Sequence, residues 1–346
     1  MAIIVTECDP VAQQAVLIRT LARHLTPHSD QPRFDWMYLR NPAGRARTWI
    51  ARAGTDGPVV GMAAAFPRDM RIGSRAQRAW VLGDFCMADE YRSLGPALQL
   101  QRACLSVVDG PEPSFCYDFP SHAMLAVYRR LGIQSTRAFV RWAKPLRIDR
   151  KVRATLGASP IGAVVSAAGN LAMRLADIRA GADPSLEMTM QSIDCDAEFS
   201  KTDEQGIGPD QIAMSRSPEY LNWRYRCHPT AGTEMMTVRQ HGRVAGYLAY
   251  AQQDEDVEIL DLVGYADEAV AHGLLASLVA MLRRRRVCTV SAYLTEGHPL
   301  AAVLARRGFQ RREESPFVIY AGSARADFTD RLRGLIWLIM SGDRDT

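Results

Sequence analysis

One short stretch constrains this sequence more than any other: Asp84-Phe85-Cys86-Met87-Ala88-Asp89-Glu90-Tyr91-Arg92-Ser93-Leu94-Gly95-Pro96-Ala97. It predicts a buried strand that ends, turns through Arg-x-x-Gly-x-Ala and opens a helix. A helix N-terminus presents unpaired N–H groups and a positive dipole end, which suits a pyrophosphate. Gly95 permits close approach of the backbone to a ligand, and Pro96 fits the first helical turn. The arrangement differs from that of a dinucleotide fold or a P-loop.

A second strand and helix follow this turn. Residues 114–119 (Ser-Phe-Cys-Tyr-Asp-Phe) are apolar and aromatic, and residues 123–130 predict a helix that ends at Leu131-Gly132-Ile133. The hexapeptide Arg92–Ala97 alone is also typical of an ordinary strand–helix turn. The strand and helix at residues 114–130, which follow the turn in this order and at this spacing, favour its interpretation as an anion site.

Together the two units resemble the GNAT superfamily of acyl-CoA-dependent N-acyltransferases, over roughly residues 50–142. The resemblance implies that the Arg92–Ala97 turn holds the CoA pyrophosphate. It also implies that Tyr128, in Tyr-Arg-Arg-Leu-Gly-Ile, protonates the departing CoA thiolate. The alternative for Tyr128 is a helix tyrosine packed against the sheet. Ser121 stands where the family often has asparagine. The residues we assign to acetyl-CoA or another acyl-CoA are Phe85, Cys86, Met87, Arg92, Ser93, Leu94, Gly95, Pro96, Ala97 and Ser121.

N-acyl transfer also needs a polarised thioester carbonyl and a neutral amine. Backbone donors at a strand edge can polarise the carbonyl whatever their side chains. A buried carboxylate on the central strand can take the ammonium proton, and Asp84 is our candidate. The alternative for Asp84 is a hydrogen-bonded structural role, which its echo at Asp261 favours; Asp89 and Glu90 are other candidate bases.

The acceptor amine is expected beside the second strand. Tyr117 and Asp118 lie where this strand would separate from the central one, and we assign them to the acceptor substrate. His122 follows in a predicted loop and is a further candidate base, although a lone histidine is more often structural.

Composition narrows the class of protein. The chain has 346 residues, 47% hydrophobic, with a net charge of +4. Its basic residues are almost all arginine, which is typical of a GC-rich bacterial genome, and no basic run alternates with aromatics as an RNA-binding surface would. The run Arg283–Arg286 ends an apolar helix, where positive charge complements the dipole. We expect no nucleic-acid partner.

The seven cysteines are scattered singly, without the spacing of a metal site, so we predict no metal and a reduced, cytoplasmic chain. Cys86 and Cys116 fall inside predicted strands, where they are expected to be small core residues rather than nucleophiles. The N-terminus lacks the apolar run of a signal peptide.

The chain contains an internal repeat. Four pairs match in order, and the spacing within a pair decreases slowly along the chain: Trp36 with Trp223, Gly61 with Gly246, Asp84 with Asp261, and Gly132 with Gly308. Trp36 and Tyr38 recur in both repeats, which favours a packing role for them. Strands alternate with helices in each repeat, which predicts a mixed α/β (α+β) sheet flanked by helices.

The second repeat retains the scaffold and loses the turn, because Asp267 and Glu268 stand where a pyrophosphate would lie. We therefore predict two tandem GNAT-like domains. Residues 1–147 form the acyl-CoA-binding domain, residues 148–190 a helical linker, and residues 191–346 a degenerate domain. The expected oligomeric state is a monomer or homodimer.

The linker is expected to be a packed or surface helix. Residues 154–173 carry no charge, but glycine, serine and proline dilute them, so peripheral contact with a membrane is a second interpretation. The tail, residues 335–340, is too short to span a membrane and is expected to dock on the core.

The resemblance points to an N-acyltransferase that moves an acyl group from acyl-CoA to a primary amine. The Trp-x-Tyr-x-x-x-Pro pattern and the tandem arrangement resemble GNAT-like proteins of polysaccharide biosynthesis, which suggests an amino-sugar acceptor. Two alternatives stay open. One is an aminoacyl-tRNA-dependent, peptidoglycan-type transferase, which generally lacks the intact turn; the other is a non-catalytic binding or scaffold protein.

Overall fold

The computed structural model describes residues 2–157, 159–178, 186–191, 194–204, 207–229 and 232–344. Its strands are β1 (Ile3–Cys8), β2 (Arg47–Ala53), β3 (Val59–Ile72), β4 (Arg75–Met87), β5 (Phe115–Asp118), β6 (Ser135–Pro145), β7 (Glu187–Met190), β8 (Gln211–Met214), β9 (Thr233–Gln240), β10 (Arg243–Gln253), β11 (Asp256–Val263), β12 (Thr289–Thr295), β13 (Gln310–Tyr320) and β14 (Ile336–Leu338). Its α-helices are α1 (Gln14–His24), α2 (Gln31–Phe34), α3 (Leu94–Leu105), α4 (His122–Arg130), α5 (Asp149–Leu156), α6 (Pro160–Ile178), α7 (Ala197–Glu204), α8 (Pro218–Leu221), α9 (Glu268–Arg284), α10 (Leu300–Arg306) and α11 (Ala326–Gly334).

The described strands form one mixed sheet with helices on both faces, which confirms the predicted fold class. Twelve strands run in the order β1-β2-β3-β4-β5-β13-β6-β12-β11-β10-β9-β7, and β14 pairs with β8, which pairs with the far end of β3. Side chains alternate across the sheet: Met62 and Ala64 of β3 face the core beneath α1, whereas Ala63 and Ala65 face the core beneath α3. Both faces of β3 are buried, which explains its continuous apolar sequence.

The two halves of the chain, each of which carries one of the sequence repeats, exchange strands at the centre of the sheet. β13, from the second half, lies between β5 and β6 of the first half, and β6 in turn pairs with β12 of the second. The repeat in the sequence did not predict this exchange. Neither half carries a complete set of paired strands without the other, and the domain boundaries at residues 147 and 191 stay a prediction.

A pair of tryptophans joins the halves. The indole rings of Trp36 and Trp223 stack with centroids 4.9 Å apart. The indole N–H of Trp36 donates to the carbonyl oxygen of Trp223 at 2.7 Å, and the indole N–H of Trp223 donates to the carbonyl oxygen of Trp36 at 2.9 Å. Each residue lies in one turn of π-helix, over Asp35–Leu39 and Asn222–Arg226. The predicted packing role of the repeated Trp is confirmed.

Glycines explain two of the matched positions. Gly132 and Gly308 follow α4 and α10 with φ of +77° and +83°, a conformation that side chains with a Cβ rarely adopt. In both cases the next N–H bonds back to the helix, from Ile133 to Tyr128 and from Phe309 to Leu304. The motif Gly-Ile/Phe is therefore a helix C-terminal cap.

The predicted linker, residues 148–190, is described only in part, because residues 158 and 179–185 lie outside the described residues, and its bounds stay a prediction. Residues 149–156 and 160–178 are helical, and β7 adds a strand at the edge beside β9. The tail packs into the core: Trp337, Leu338, Ile339 and Met340 are all buried, so its predicted docking is confirmed. None of the described helices is long and apolar enough to cross a membrane.

Candidate active site

A cleft opens where β4 and β5 part. The two strands pair in parallel from Ala79/Phe115 to Val81/Tyr117, and β4 then continues to Met87 without a neighbour on that side. A cavity of about 610 Å³ occupies the gap. Its walls include residues 82–87 of β4, residues 118–121 after β5, and the first turn of α3. The unpaired edge of β4 leaves backbone N–H and C=O groups facing a ligand-sized space.

The start of α3 lies at the mouth of this cleft. Ser93 is the N-cap in an extended conformation, and its side chain does not cap α3 within the described structure. Leu94 and Gly95 are exposed. A Cβ on Gly95 would meet no atom within 4 Å, so the space in front of this turn is open. The first N–H groups of α3 therefore face solvent, as an anion site requires.

Arg92 holds the turn in place. Its Nε donates to the carbonyl of Met87 at 3.0 Å, and its guanidinium reaches the carbonyl of His24 at 3.3 Å and the carboxylate of Asp89 at 2.9 Å. These contacts connect the turn to the end of β4 and to the end of α1. The structure therefore gives the Arg92 side chain a positioning role in the turn.

A β-bulge at Asp84 bends β4 beside the cleft. Met62 pairs with Cys86 and Ala64 pairs with Gly83, so two residues of β4 oppose one of β3. Asp84 has a φ of +49°, in the left-handed region. Such a conformation costs on the order of 1 kcal/mol and persists only where other contacts hold the residue.

Those contacts come from two residues near the N-terminus. Arg33 donates to both carboxylate oxygens of Asp84, at 2.8 and 2.9 Å, and the hydroxyl of Tyr38 donates to one of them at 2.6 Å. The Asp84 side chain is only 3% exposed. Burial and the charge of Asp84 raise the pKa of Tyr38 well above its usual range, so Tyr38 stays a hydrogen-bond donor.

The sequence did not indicate Arg33 or the polar role of Tyr38. Arg33 is far from Asp84 in the chain and belongs to no motif, and the recurrence of Tyr38 favoured packing. The Cys86 thiol beside this site is buried, and burial raises its pKa to about 12. A protonated thiol agrees with its predicted role as a core residue.

Tyr128, the predicted acid, lies directly behind the wall of the cleft. Its side chain is fully buried, its hydroxyl donates to Asp118 at 2.5 Å, and it accepts from the amide of Gln101 at 2.8 Å. Burial and then the charge of Asp118 raise the pKa of Tyr128 well above its usual range. Gln101 and Asp118 both line the cleft, so one layer of side chains separates the hydroxyl from it. Gln101 belonged to no motif.

Of the remaining predicted residues, four line the cleft, Pro96 lies in the first turn of α3 outside the lining, and Tyr117 lies elsewhere. Phe85, Met87, Ala97 and Ser121 line the cleft, and Ser121 also caps α4 by accepting from the N–H of Met124. Tyr117 does not reach the cleft. Side chains alternate along β5, so Tyr117 faces the opposite core, where its hydroxyl donates to the carbonyl of Asp343 at 3.0 Å.

The second half has the same scaffold with its cleft filled. Asp261 echoes Asp84 and is bound by Arg216 at 3.1 Å and by the hydroxyl of Tyr247 at 2.8 Å. The gap where β11 and β12 part holds the tail, since Met340 bridges to Leu294. Only about 50 Å³ of space remains there.

The N-terminus of α9 is also closed in this half. The carboxylate of Asp267 accepts from the N–H groups of Ala269 and Val270 at 2.8 and 3.4 Å. This acidic cap occupies the position at which α3 is open. The degenerate character of this half stays a prediction. Across the described residues, no group of three His, Cys, Asp or Glu side chains forms a candidate metal site.

Comparison with known proteins identifies the fold. No protein-family model and no curated protein matches the chain. Among solved structures, a GCN5-related N-acetyltransferase from Anabaena variabilis is 14% identical with a TM-score of 0.64, covering 92% of this chain and 72% of its own. One from Kribbella flavida is 16% identical with a TM-score of 0.60, covering 92% and 70%. A tandem GNAT protein from the clavulanic acid pathway is 14% identical with a TM-score of 0.55, covering 93% and 99%. The chain therefore has a tandem GNAT-like fold.

Proposed function

We propose that this protein is an N-acyltransferase that moves an acyl group, in the simplest case acetyl, from acyl-CoA to a primary amine. The observation that carries the proposal is the meeting of two unpaired backbone surfaces at one cleft, the N-terminus of α3 and the edge of β4. A thioester of CoA presents a pyrophosphate to the N-terminus of α3 and an extended amide-bearing chain to the edge of β4.

The binding step follows from these surfaces. The N–H groups of Leu94 and Gly95 and the dipole of α3 hold the pyrophosphate. The pantetheine runs along residues 82–87 of β4, where it completes the hydrogen bonds that β5 leaves unmade. The bulge at Asp84 turns the same edge, so that a backbone donor faces the thioester carbonyl.

The chemical step replaces a C–S bond by a C–N bond. The neutral amine nitrogen attacks the carbonyl carbon, the thiolate leaves, and the nitrogen gives up a proton. Asp84 is our candidate for accepting that proton, through water in the cleft. Tyr128 is our candidate for protonating the thiolate, on the resemblance of its motif and because one layer of side chains separates its hydroxyl from the cleft. To do so, its hydroxyl turns from Asp118 toward the cleft.

For the acceptor we propose an amino sugar, on the resemblance to polysaccharide-associated GNAT-like proteins and on the chemistry of the cleft. The carboxylate of Asp118 stands at its wall, and the ring of Phe119 packs instead on Phe139 and Phe317. A carboxylate accepts hydrogen bonds from sugar hydroxyls. The aminoacyl-tRNA-dependent alternative is less favoured, because the phosphate turn is intact and open.

Isothermal titration with acetyl-CoA tests the binding step, and thiol release in the presence of glucosamine or another amino sugar tests transfer. Micromolar binding with amine-dependent thiol release is expected. Absence of acetyl-CoA binding by the folded protein would contradict the proposal. Binding without transfer to any amine would favour the scaffold alternative, for which the filled second half is a precedent in this chain.

A further inference from the structure

Helix α6 packs on the protein with its polar side. Asn170 donates to the carboxylate of Asp149 at 3.1 Å. Asp177 accepts from Lys144 at 2.6 Å and from Arg283 at 2.5 Å. These contacts lie on one side of α6 and fix its rotation about its own axis.

A glycine confirms the close approach on that side. A Cβ on Gly169 would lie 2.3 Å from the Cδ1 of Ile148, so no other residue fits there without movement. The opposite side carries a row of exposed apolar residues within an arc of about 120°. These residues, with their exposed fractions, are Ile161 (71%), Val164 (69%), Val165 (42%), Leu171 (58%) and Leu175 (54%). A surface helix of a globular protein normally shows the reverse orientation.

Positive charge borders this apolar row. A cavity of about 390 Å³ lies between the flank of α6 and the end of α9, lined by Arg147, Arg174, Arg283, Arg284 and Arg286 together with Ala167 and Leu171 of the helix. Within the described part of the chain, Arg174, Arg284 and Arg286 have no acidic partner at ion-pair distance. Lys151 and Arg153 of the neighbouring α5 are exposed as well.

The charge and the area argue against a second copy as the occupant. A helix of 19 residues is about 28 Å long, and a stripe about 10 Å wide on it covers about 300 Å². A stable dimer buries about 800 Å² per partner. Two copies joined through this row would also bring their arginines toward one another. A partner whose surface is apolar at its centre and anionic around it would complement both the apolar row and the arginines.

We propose that α6 binds the interface of a membrane that contains anionic phospholipids. The apolar row enters the boundary between headgroups and acyl chains, and the flanking arginines contact the headgroup phosphates. The helix lies in the plane of the interface, with its polar side still bonded to the protein.

Flotation of the full-length protein with lipid vesicles tests the proposal without acyl-CoA, so its outcome is separate from that of the proposed function. Binding is expected to phosphatidylcholine vesicles that contain phosphatidylglycerol, and to weaken strongly on vesicles of phosphatidylcholine alone. The double variant Val164→Gln/Leu171→Gln is expected to bind about 100-fold more weakly. Val11→Gln is the matched control, since Val11 is 46% exposed on a distant segment.

The arginines have their own pair of variants. Arg174→Gln/Arg284→Gln is expected to bind about 25-fold more weakly, about fivefold for each charge. Arg19→Gln, an exposed arginine on α1, is the control. Three results would overturn the proposal: no binding to anionic vesicles at low salt, binding that the apolar double variant retains, or a concentration-dependent dimer in sedimentation that the apolar double variant abolishes.

Discussion

Replacement of Arg33 by methionine is expected to destabilise the protein strongly, because it leaves the carboxylate of Asp84 buried without its cation. The Arg33 side chain is 16% exposed and that of Asp84 only 3%, and two hydrogen bonds join them. Removal of one member of such a buried pair costs about 3–5 kcal/mol. Tyr38 alone would remain bonded to the carboxylate. The expected loss is a large part of the roughly 5–15 kcal/mol that stabilises a typical domain.

Urea unfolding followed by tryptophan fluorescence measures this loss. Arg150→Met is the matched control, because Arg150 also holds an aspartate, Asp256, through two hydrogen bonds, but both side chains are exposed. The control is expected to change the free energy of unfolding by about 1 kcal/mol or less. Asp84→Asn in the Arg33→Met background is expected to recover part of the loss, because a neutral amide is less costly to bury.

An Arg33→Met variant no more destabilised than Arg150→Met would show that Arg33 does not hold the bulge. The same variants separate the two roles of Asp84. If Asp84 is the base, the Asp84→Asn variant is expected to show little turnover and normal acetyl-CoA affinity under conditions in which it is folded. A structural carboxylate predicts that folded Asp84→Asn keeps most of its turnover.

Three further predictions concern the cleft and the histidines. Gly95→Glu is expected to lower acetyl-CoA affinity at least about 100-fold without loss of stability, because it places a negative charge at the N-terminus of α3. The control is Gly110→Glu, whose Cβ also meets open space and which is expected to leave the acetyl-CoA titration unchanged. Equal effects of the two variants would contradict the anion site. Tyr128→Phe is expected to lower turnover about 100-fold at constant acetyl-CoA affinity, and normal turnover in a steady-state assay would remove Tyr128 from the mechanism. Burial, with nearby arginines, lowers the pKa of His228 to about 4 and that of His298 to about 3. Because the unfolded chain then binds more protons, urea titrations should show the free energy of unfolding decreasing as pH falls from about 6.5 toward 4, and a flat profile would contradict this.

Local features of the site could be predicted because their causes are local. The strand–turn–helix unit at residues 84–97 follows from an apolar run, a glycine and a proline. The helix predicted over residues 123–130 is observed over His122–Arg130, with a glycine cap after it. The acidic start of α9 could also be predicted, since Asp267 stands at a helix N-terminus and caps it, while the loss of a binding site in that repeat stays a prediction.

Other features depend on residues far apart in the chain. Arg33 and Asp84 are 51 residues apart, and they meet only because the fold brings the Arg33 side chain of α2 to the bulge in β4. Tyr117 was assigned to the acceptor site, and the alternation of β5 places it in the other core. The tail was expected to dock on the core, but nothing in its sequence shows that it fills the cleft of the second half.

The sequence alone was sufficient for the repeat, the exposed strand–turn–helix unit at residues 84–97 and the class of sheet, because each depends on backbone preferences within a few residues. Tertiary structure was required for the exchange of β6 and β13, for the partners of Asp84, and for the side of α6 that faces solvent. A helix with one apolar side predicts that this side is buried. Here the polar contacts of Asn170 and Asp177, together with the close packing at Gly169, hold the helix the other way round.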